Sequence, residues 1–176
     1  MLALIGIALS SRGFGYAVLE RENTLVDFGR KRLYGDRDGG TAAGIEKVIA
    51  RYQPYALILQ DANKAKGTTR TARIKELSRE INALAKKKNI KIVKISGKEL
   101  RAKLLGHEDG TKHEMAVLMA QRFSDRLASR LPPKRRSFDN EDPRMDYFDA
   151  VGLVAYLRPV PQPGNGSQAE GINNGN

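Results

Sequence analysis

Two carboxylates, Asp146 and Asp149, open the last apolar segment of the chain, Met145-Asp146-Tyr147-Phe148-Asp149-Ala150-Val151-Gly152-Leu153-Val154-Ala155-Tyr156-Leu157. Residues three apart on a helix share a face. Ala150, Leu153, Val154 and Leu157 continue that face at the spacing of a core-facing stripe. The pattern therefore aims two acids toward the apolar side of a helix. Ionised carboxylates are costly to bury unless a cation or hydrogen-bond donors compensate. A divalent metal ion is the compensation that would also do chemistry. The motif admits a plainer reading as well: both acids only favour the positive helix N-terminus, at about 0.3–1 kcal/mol each.

Around this pair the chain is strongly basic, with a net charge of +11 and a pI near 10.0. Residues 63–103 carry fourteen Lys and Arg against three Glu. A second run, Lys134-Arg135-Arg136, lies just ahead of the acidic helix. Such density points to a polyanion partner, most simply nucleic acid. The alternative is the solvated face of a basic protein, which Lys86-Lys87-Lys88 at a helix end fits well. Only 6% of residues are aromatic and none is Trp, which favours phosphate tracking along a duplex over a base-stacking platform. There is no cysteine, so disulfides and thiolate metal sites are excluded. The opening apolar run, residues 1–9, is too short to span a bilayer and lacks a basic region before it. A cytoplasmic protein with no membrane partner is expected.

The acids need elements to position them. Strands are expected over residues 2–9, 14–19 and 24–33, in an antiparallel meander. A helix over 41–52, a strand over 55–60, a basic loop over 63–69, an amphipathic helix over 70–88 and a strand over 89–95 follow. Ser96 with Glu99, and Thr111 with Glu114, make two capping boxes. They start a short helix to about 105 and a longer one to about 130. Residues 131–144, with Pro132, Pro133 and Pro143, read as a loop before the final helix. One domain over 1–158 and a disordered Pro-, Gly- and Asn-rich tail over 159–176 are expected. The order implies an α/β fold: a mixed five-stranded sheet, its first three strands antiparallel, with helices on both faces. Sites in such sheets form at the carboxyl ends of parallel strands. That edge would gather Ala8, Gln60-Asp61 and the start of the final helix.

Four stretches resemble the RuvC group of Holliday-junction resolvases, which have the RNase H-like fold. Gly6-Ile7-Ala8-Leu9-Ser10-Ser11-Arg12-Gly13-Phe14-Gly15-Tyr16 is similar to that family's first-strand hairpin, usually G-I-D-P-G-S-R-x-x-G-Y. Gln53-Pro54, Leu57-Ile58-Leu59-Gln60-Asp61 and Ala65-Lys66 line up on its second-site strand, where a Glu is followed by Gln. Gly110-Thr111-Lys112 resembles the turn that carries a Lys before a long helix. Pro143-Arg144-Met145-Asp146-Tyr147-Phe148-Asp149-Ala150 resembles the final helix, which begins P-x-x-D-x-x-D-A.

The resemblance implies a crossover-junction endodeoxyribonuclease that uses magnesium or manganese. In that family four carboxylates hold two ions about 3.5–4 Å apart for phosphodiester hydrolysis. Asp146 and Asp149 match the two helix acids, but Ala8 stands for the first-strand Asp and Gln60 for the second-strand Glu. Asp61 is next door, though strand alternation points neighbours to opposite faces. The implied site is Asp146, Asp149, Gln60, Asp61 and Lys112, with Asp146, Asp149 and Asp61 as metal ligands. Two expectations follow: a degenerate relative that binds DNA but cuts poorly, or a nuclease whose site is refilled by Asp61, Asp139, Glu141 or Asp142. Backbone contacts are expected from Ser10, Ser11, Arg12, Lys64, Lys66, Arg70, Arg73, Lys134, Arg135 and Arg136. Lys112, a cation at a helix start, fits a phosphate contact. His107 and His113 lack zinc spacing and read as surface residues, although His113 has a position suited to proton donation. Two symmetric cuts imply a homodimer on branched or duplex DNA, in recombination or repair.

Overall fold

The computed structural model describes residues 3–10, 13–32, 37–61 and 69–158. The expected tail, 159–176, lies outside them. Strands β1 (Leu4–Ser10), β2 (Gly13–Leu19) and β3 (Leu25–Arg32) form the meander, with a 3-10 turn at Arg21–Asn23 between the last two. Helix α1 (Arg37–Tyr52), strand β4 (Ala56–Gln60), helix α2 (Thr69–Lys87) and strand β5 (Lys91–Ile95) follow. The chain then continues through α3 (Gly97–Leu105), α4 (Lys112–Arg122), the short α5 (Ser124–Leu127) and α6 (Met145–Leu157). The sheet order is β3-β2-β1-β4-β5. The β1–β2 and β2–β3 pairs are antiparallel; β1–β4 and β4–β5 are parallel. Among the described residues no helix is long and apolar enough to cross a membrane.

β1 is apolar from Leu4 to Leu9, as suits a strand covered on both faces. Leu4 and Ala8 belong to the core under α4 and α6, while Ile5 and Ile7 belong to the core under α1 and α2. Both expected capping boxes are present, with Ser96 and Thr111 each accepting from the backbone N–H of the Glu three residues on. Several element boundaries differ from expectation, three of them notably. α1 begins at Arg37 and runs through Gly39-Gly40, despite a helix cost of about 1 kcal/mol for each glycine. The helix expected to reach residue 130 breaks at Phe123, whose backbone (φ −119°, ψ 51°) turns so that Phe123 and Leu127 are both buried. β5 starts at Lys91 because Asn89 adopts φ 54° and closes α2 instead. Ile90 N–H donates to Ala85 O and Asn89 N–H to Lys86 O, the paired bonds of a Schellman motif.

α6 lies on a floor of small residues. In the β1–β2 ladder Gly6 pairs with Ala17 and Ala8 with Gly15. A Cβ at Gly6 would sit 2.3 Å from the Ala150 carbonyl oxygen, and one at Gly15 would sit 2.0 Å from that of Asp146. No side chain fits there, so the helix backbone rests directly on the strands. The close approach brings the head of α6 down onto the carboxyl end of β1. Gly15→Ala should therefore cost about 2–3 kcal/mol of unfolding free energy, as overpacking against backbone does. Denaturant titration checks this; a loss below about 0.5 kcal/mol would contradict the packing.

Candidate functional site

The head of α6 is where the predicted acids meet the sheet. β3 pairs with β2 so that Arg30 lies opposite Gly15, on the α6 side. With no side chain at Gly15, the Arg30 guanidinium reaches Asp146, its Nε donating to Oδ2 at 2.7 Å. The Ser10 hydroxyl, at the end of β1, lies 3.3 Å from the same Oδ2 and 3.3 Å from the Gly13 carbonyl, and shares its hydrogen between them. Arg30 and Asp146 are both mostly buried, at 21% and 18% side-chain exposure, so solvent screens the pair less than a surface bridge.

Asp149 is one turn further along. Lys112 Nζ, at the start of α4, lies 3.0 Å from Asp149 Oδ2 and 2.9 Å from Glu141 Oε1. Burial pushes the Asp149 carboxyl above its ordinary value; Lys112 pulls it back, and Glu141 and Asp146 add to the rise. For Lys112, burial acts downward, but the attraction of Asp149 and Glu141 outweighs it and holds the ammonium above the ordinary lysine range. The cation disfavoured by its helix N-terminus is thus held by two carboxylates.

Alternation along β4 places Ala56, Ile58 and Gln60 on the α6 face, and Ala56 and Ile58 join the core there. Gln60 lines a small cleft of about 50 Å³ with Lys112, Asp149 and Arg101. Ala8, buried on the same face, lies between Gly6, which carries Ala150, and Ser10, which bonds Asp146. The structure therefore brings Asp146, Asp149, Lys112, Gln60, Ser10 and Ala8 to one sheet edge. Asp61 follows β4, its N–H donating to Ile95 O, and it does not line the cleft that holds Gln60, Lys112 and Asp149.

Of the other acids, Glu141 joins the site through Lys112. Asp142 is clamped by Arg144, with Oδ1 3.0 Å from Nε and Oδ2 2.7 Å from Nη2; this holds its carboxyl below the ordinary range. Asp139 accepts from the Arg136 N–H. Lys134 and Arg135 line a larger cleft of about 580 Å³ with Lys112, His113 and Glu141. Arg136 and His107 are exposed. Arg73 sits on α2, which packs on the opposite sheet face. Ser11, Arg12, Lys64, Lys66 and the Arg70 side chain lie outside the described residues.

Arg30 is the site residue that the sequence reading missed. Its signal was parity: Phe28 and Arg30 share a strand face, so an inward Phe implies an inward cation needing an acid. The donor set does not fit two magnesium ions. One expected carboxylate is the methyl of Ala8 and another the neutral amide of Gln60, while both remaining acids already hold protein cations. Among the described residues no three His, Cys, Asp or Glu side chains are grouped to hold a metal.

A cycle of Arg30→Met and Asp146→Asn should show about 1–2 kcal/mol of coupling in unfolding free energy; additive effects would contradict the contact. The raised carboxyl of Asp149 sets a sign with pH. A folded value above the ordinary 3.8 favours the folded state at low pH, and that stability is lost as pH rises through the folded value. Wild type should therefore gain on Asp149→Asn between about pH 7 and pH 4 in denaturant titrations; a flat difference or the opposite slope contradicts it.

No protein-family model matches the sequence, and no curated protein matches it. Solved structures do. RuvC of Thermus thermophilus superposes with a TM-score of 0.65 at 14% identity, covering 88% of this chain and 92% of that one. The same enzyme in complex with a Holliday junction substrate gives 0.63. The yeast mitochondrial Holliday junction resolvase gives 0.56 at 13% identity, covering 88% of this chain and 78% of that one. The fowlpox virus Holliday junction resolvase gives 0.53 at 13% identity, over 89% and 97%. With its antiparallel β3-β2-β1 meander, parallel β4 and β5 and an acid-headed helix laid across β1 and β2, this chain has the fold of the RuvC-type Holliday junction resolvases.

Proposed function

We propose that this protein binds branched or duplex DNA through the α6 edge of the sheet, without metal-dependent cleavage. The observation that carries this reading is the pairing of both helix-head acids with protein cations, Asp146 with Arg30 and Asp149 with Lys112. Ala8 and Gln60, where the resemblance calls for acids, support it. Lys134 and Arg135 stand in the neighbouring cleft beside Asp139, Glu141 and Asp142, and the net charge of +11 suits a polyphosphate. A similar structure, the RuvC of Thermus thermophilus, was solved with a Holliday junction, which supports DNA as the partner.

A second reading is favoured by one observation: Asp146 and Asp149 both stand in the first turns of α6, beside the end of β1 and close to Lys112. On that reading the protein is a magnesium- or manganese-dependent junction endonuclease, a homodimer in which each copy makes one cut. Arg30 and Lys112 would first have to release their acids.

One experiment separates the two. Four-way junction and duplex DNA are incubated with wild type and Asp146→Asn, with magnesium or manganese, and both binding and cutting are measured. The expected result is tight binding, no cutting by either protein, and at least ~10-fold weaker binding between about 50 and 200 mM salt. Replacing both Lys134 and Arg135 by Ala should lower the salt slope by about 2. Cutting by wild type that Asp146→Asn abolishes would establish the second reading. Binding that ignores salt would overturn both.

A further inference from the structure

We infer that Phe138 is a base-stacking residue, held out to meet an unpaired or unstacked base where DNA branches. The inference rests on DNA as the partner. Phe138 is fully exposed, whereas Tyr55, the other exposed large hydrophobic among the described residues, still hides more than half its surface. A lone exposed aromatic is common on protein surfaces; what distinguishes Phe138 is the hydrogen-bonded turn that carries it and the cations that precede it.

The turn that carries Phe138 is built rather than slack. The Asp139 N–H donates to the Arg136 carbonyl at 3.1 Å, and the Asp139 carboxylate accepts from the Arg136 N–H at 3.3 Å. These bonds close a four-residue turn and leave Ser137 and Phe138 at its tip. The flanks are fixed too. Pro132 and Pro133 restrict the incoming chain. On the outgoing side Glu141 is tied to Lys112 and Asp142 to Arg144.

The surroundings identify the ligand chemistry. Lys134, Arg135 and Arg136 precede the ring and are exposed, and Ser137, Asp139 and Asn140 complete the tip. The cleft beside the ring carries Pro132, Pro133 and Met145, but Lys134, Arg135 and Asp139 stand among them, so it is not a plain apolar surface. One aromatic face beside three cations suits a nucleotide, whose base stacks while neighbouring phosphates meet the cations. Because Asp139 also lines the cleft that Lys112 enters, the ring stands at the rim of the proposed DNA face. A fully paired duplex offers no free base face; a branch point does.

The test uses a forked or four-way DNA with 2-aminopurine at the branch, and a continuous duplex as control. Wild type, Phe138→Ala and Phe138→Trp are compared by anisotropy and 2-aminopurine fluorescence. Phe138→Ala should weaken binding to branched DNA about tenfold and duplex binding less than about twofold. It should also lose the fluorescence change at saturation, which Phe138→Trp should keep. Equal affinity and equal fluorescence change in wild type and Phe138→Ala would overturn the inference while leaving DNA binding intact. Failure of wild type to bind any of these DNAs would overturn the DNA reading itself, and this inference with it. Phe138-dependent binding to phosphatidylserine vesicles, without the DNA effect, would reassign the ring to a membrane surface and overturn the inference.

Discussion

Two carboxylates pressed against a sheet by a closely packed helix must be neutralised, and the rest of the site answers that demand. α6 lies so close to β1 and β2 that only glycine fits beneath the Asp146 and Ala150 carbonyls. The approach removes water from one side of both acids. Burial without compensation would cost several kcal/mol for each ion (order of magnitude). Arg30 crosses Gly15 to reach Asp146, and Lys112 bridges Asp149 and Glu141. The neutralising charges therefore belong to the chain itself.

The identities of two nearby residues fit this arrangement. An Asp at position 8 or a Glu at position 60 would add negative charge beside Asp146 and Asp149. Arg30 and Lys112 already face three carboxylates, Asp146, Asp149 and Glu141, and further acids would widen that excess, for which a divalent ion would be the natural remedy. With Ala8 and Gln60 the cluster stays at three carboxylates, and Arg30 and Lys112 reach both acids of α6. A guanidinium and an ammonium neutralise carboxylates but do not lower the pKa of water as a metal does. This is the basis for proposing DNA binding without metal-dependent cleavage.

Much of the fold was legible because it is written in local patterns. The period of α6, the two capping boxes and the apolar run of β1 each depend on residues near one another in sequence. The α6 acids were legible for the same reason. The Arg30–Asp146 pair was not, because it spans 116 positions and depends on the register that sets Arg30 across from Gly15. The break at Phe123 was hidden as well: helical periodicity continues through it, and only the pull of the core on Phe123 and Leu127 turns the chain. Phe138 was passed over because aromatic content was weighed as an average, and an average does not report where one ring stands.

The most direct test of the central claim is manganese binding, followed by electron paramagnetic resonance, in wild type and in Ala8→Asp/Gln60→Glu. If protein cations satisfy the acids of α6, wild type takes up no stoichiometric manganese below about millimolar concentration, and the double variant gains a site. Tight binding of one or two ions by wild type, lost in Asp146→Asn, would contradict the account.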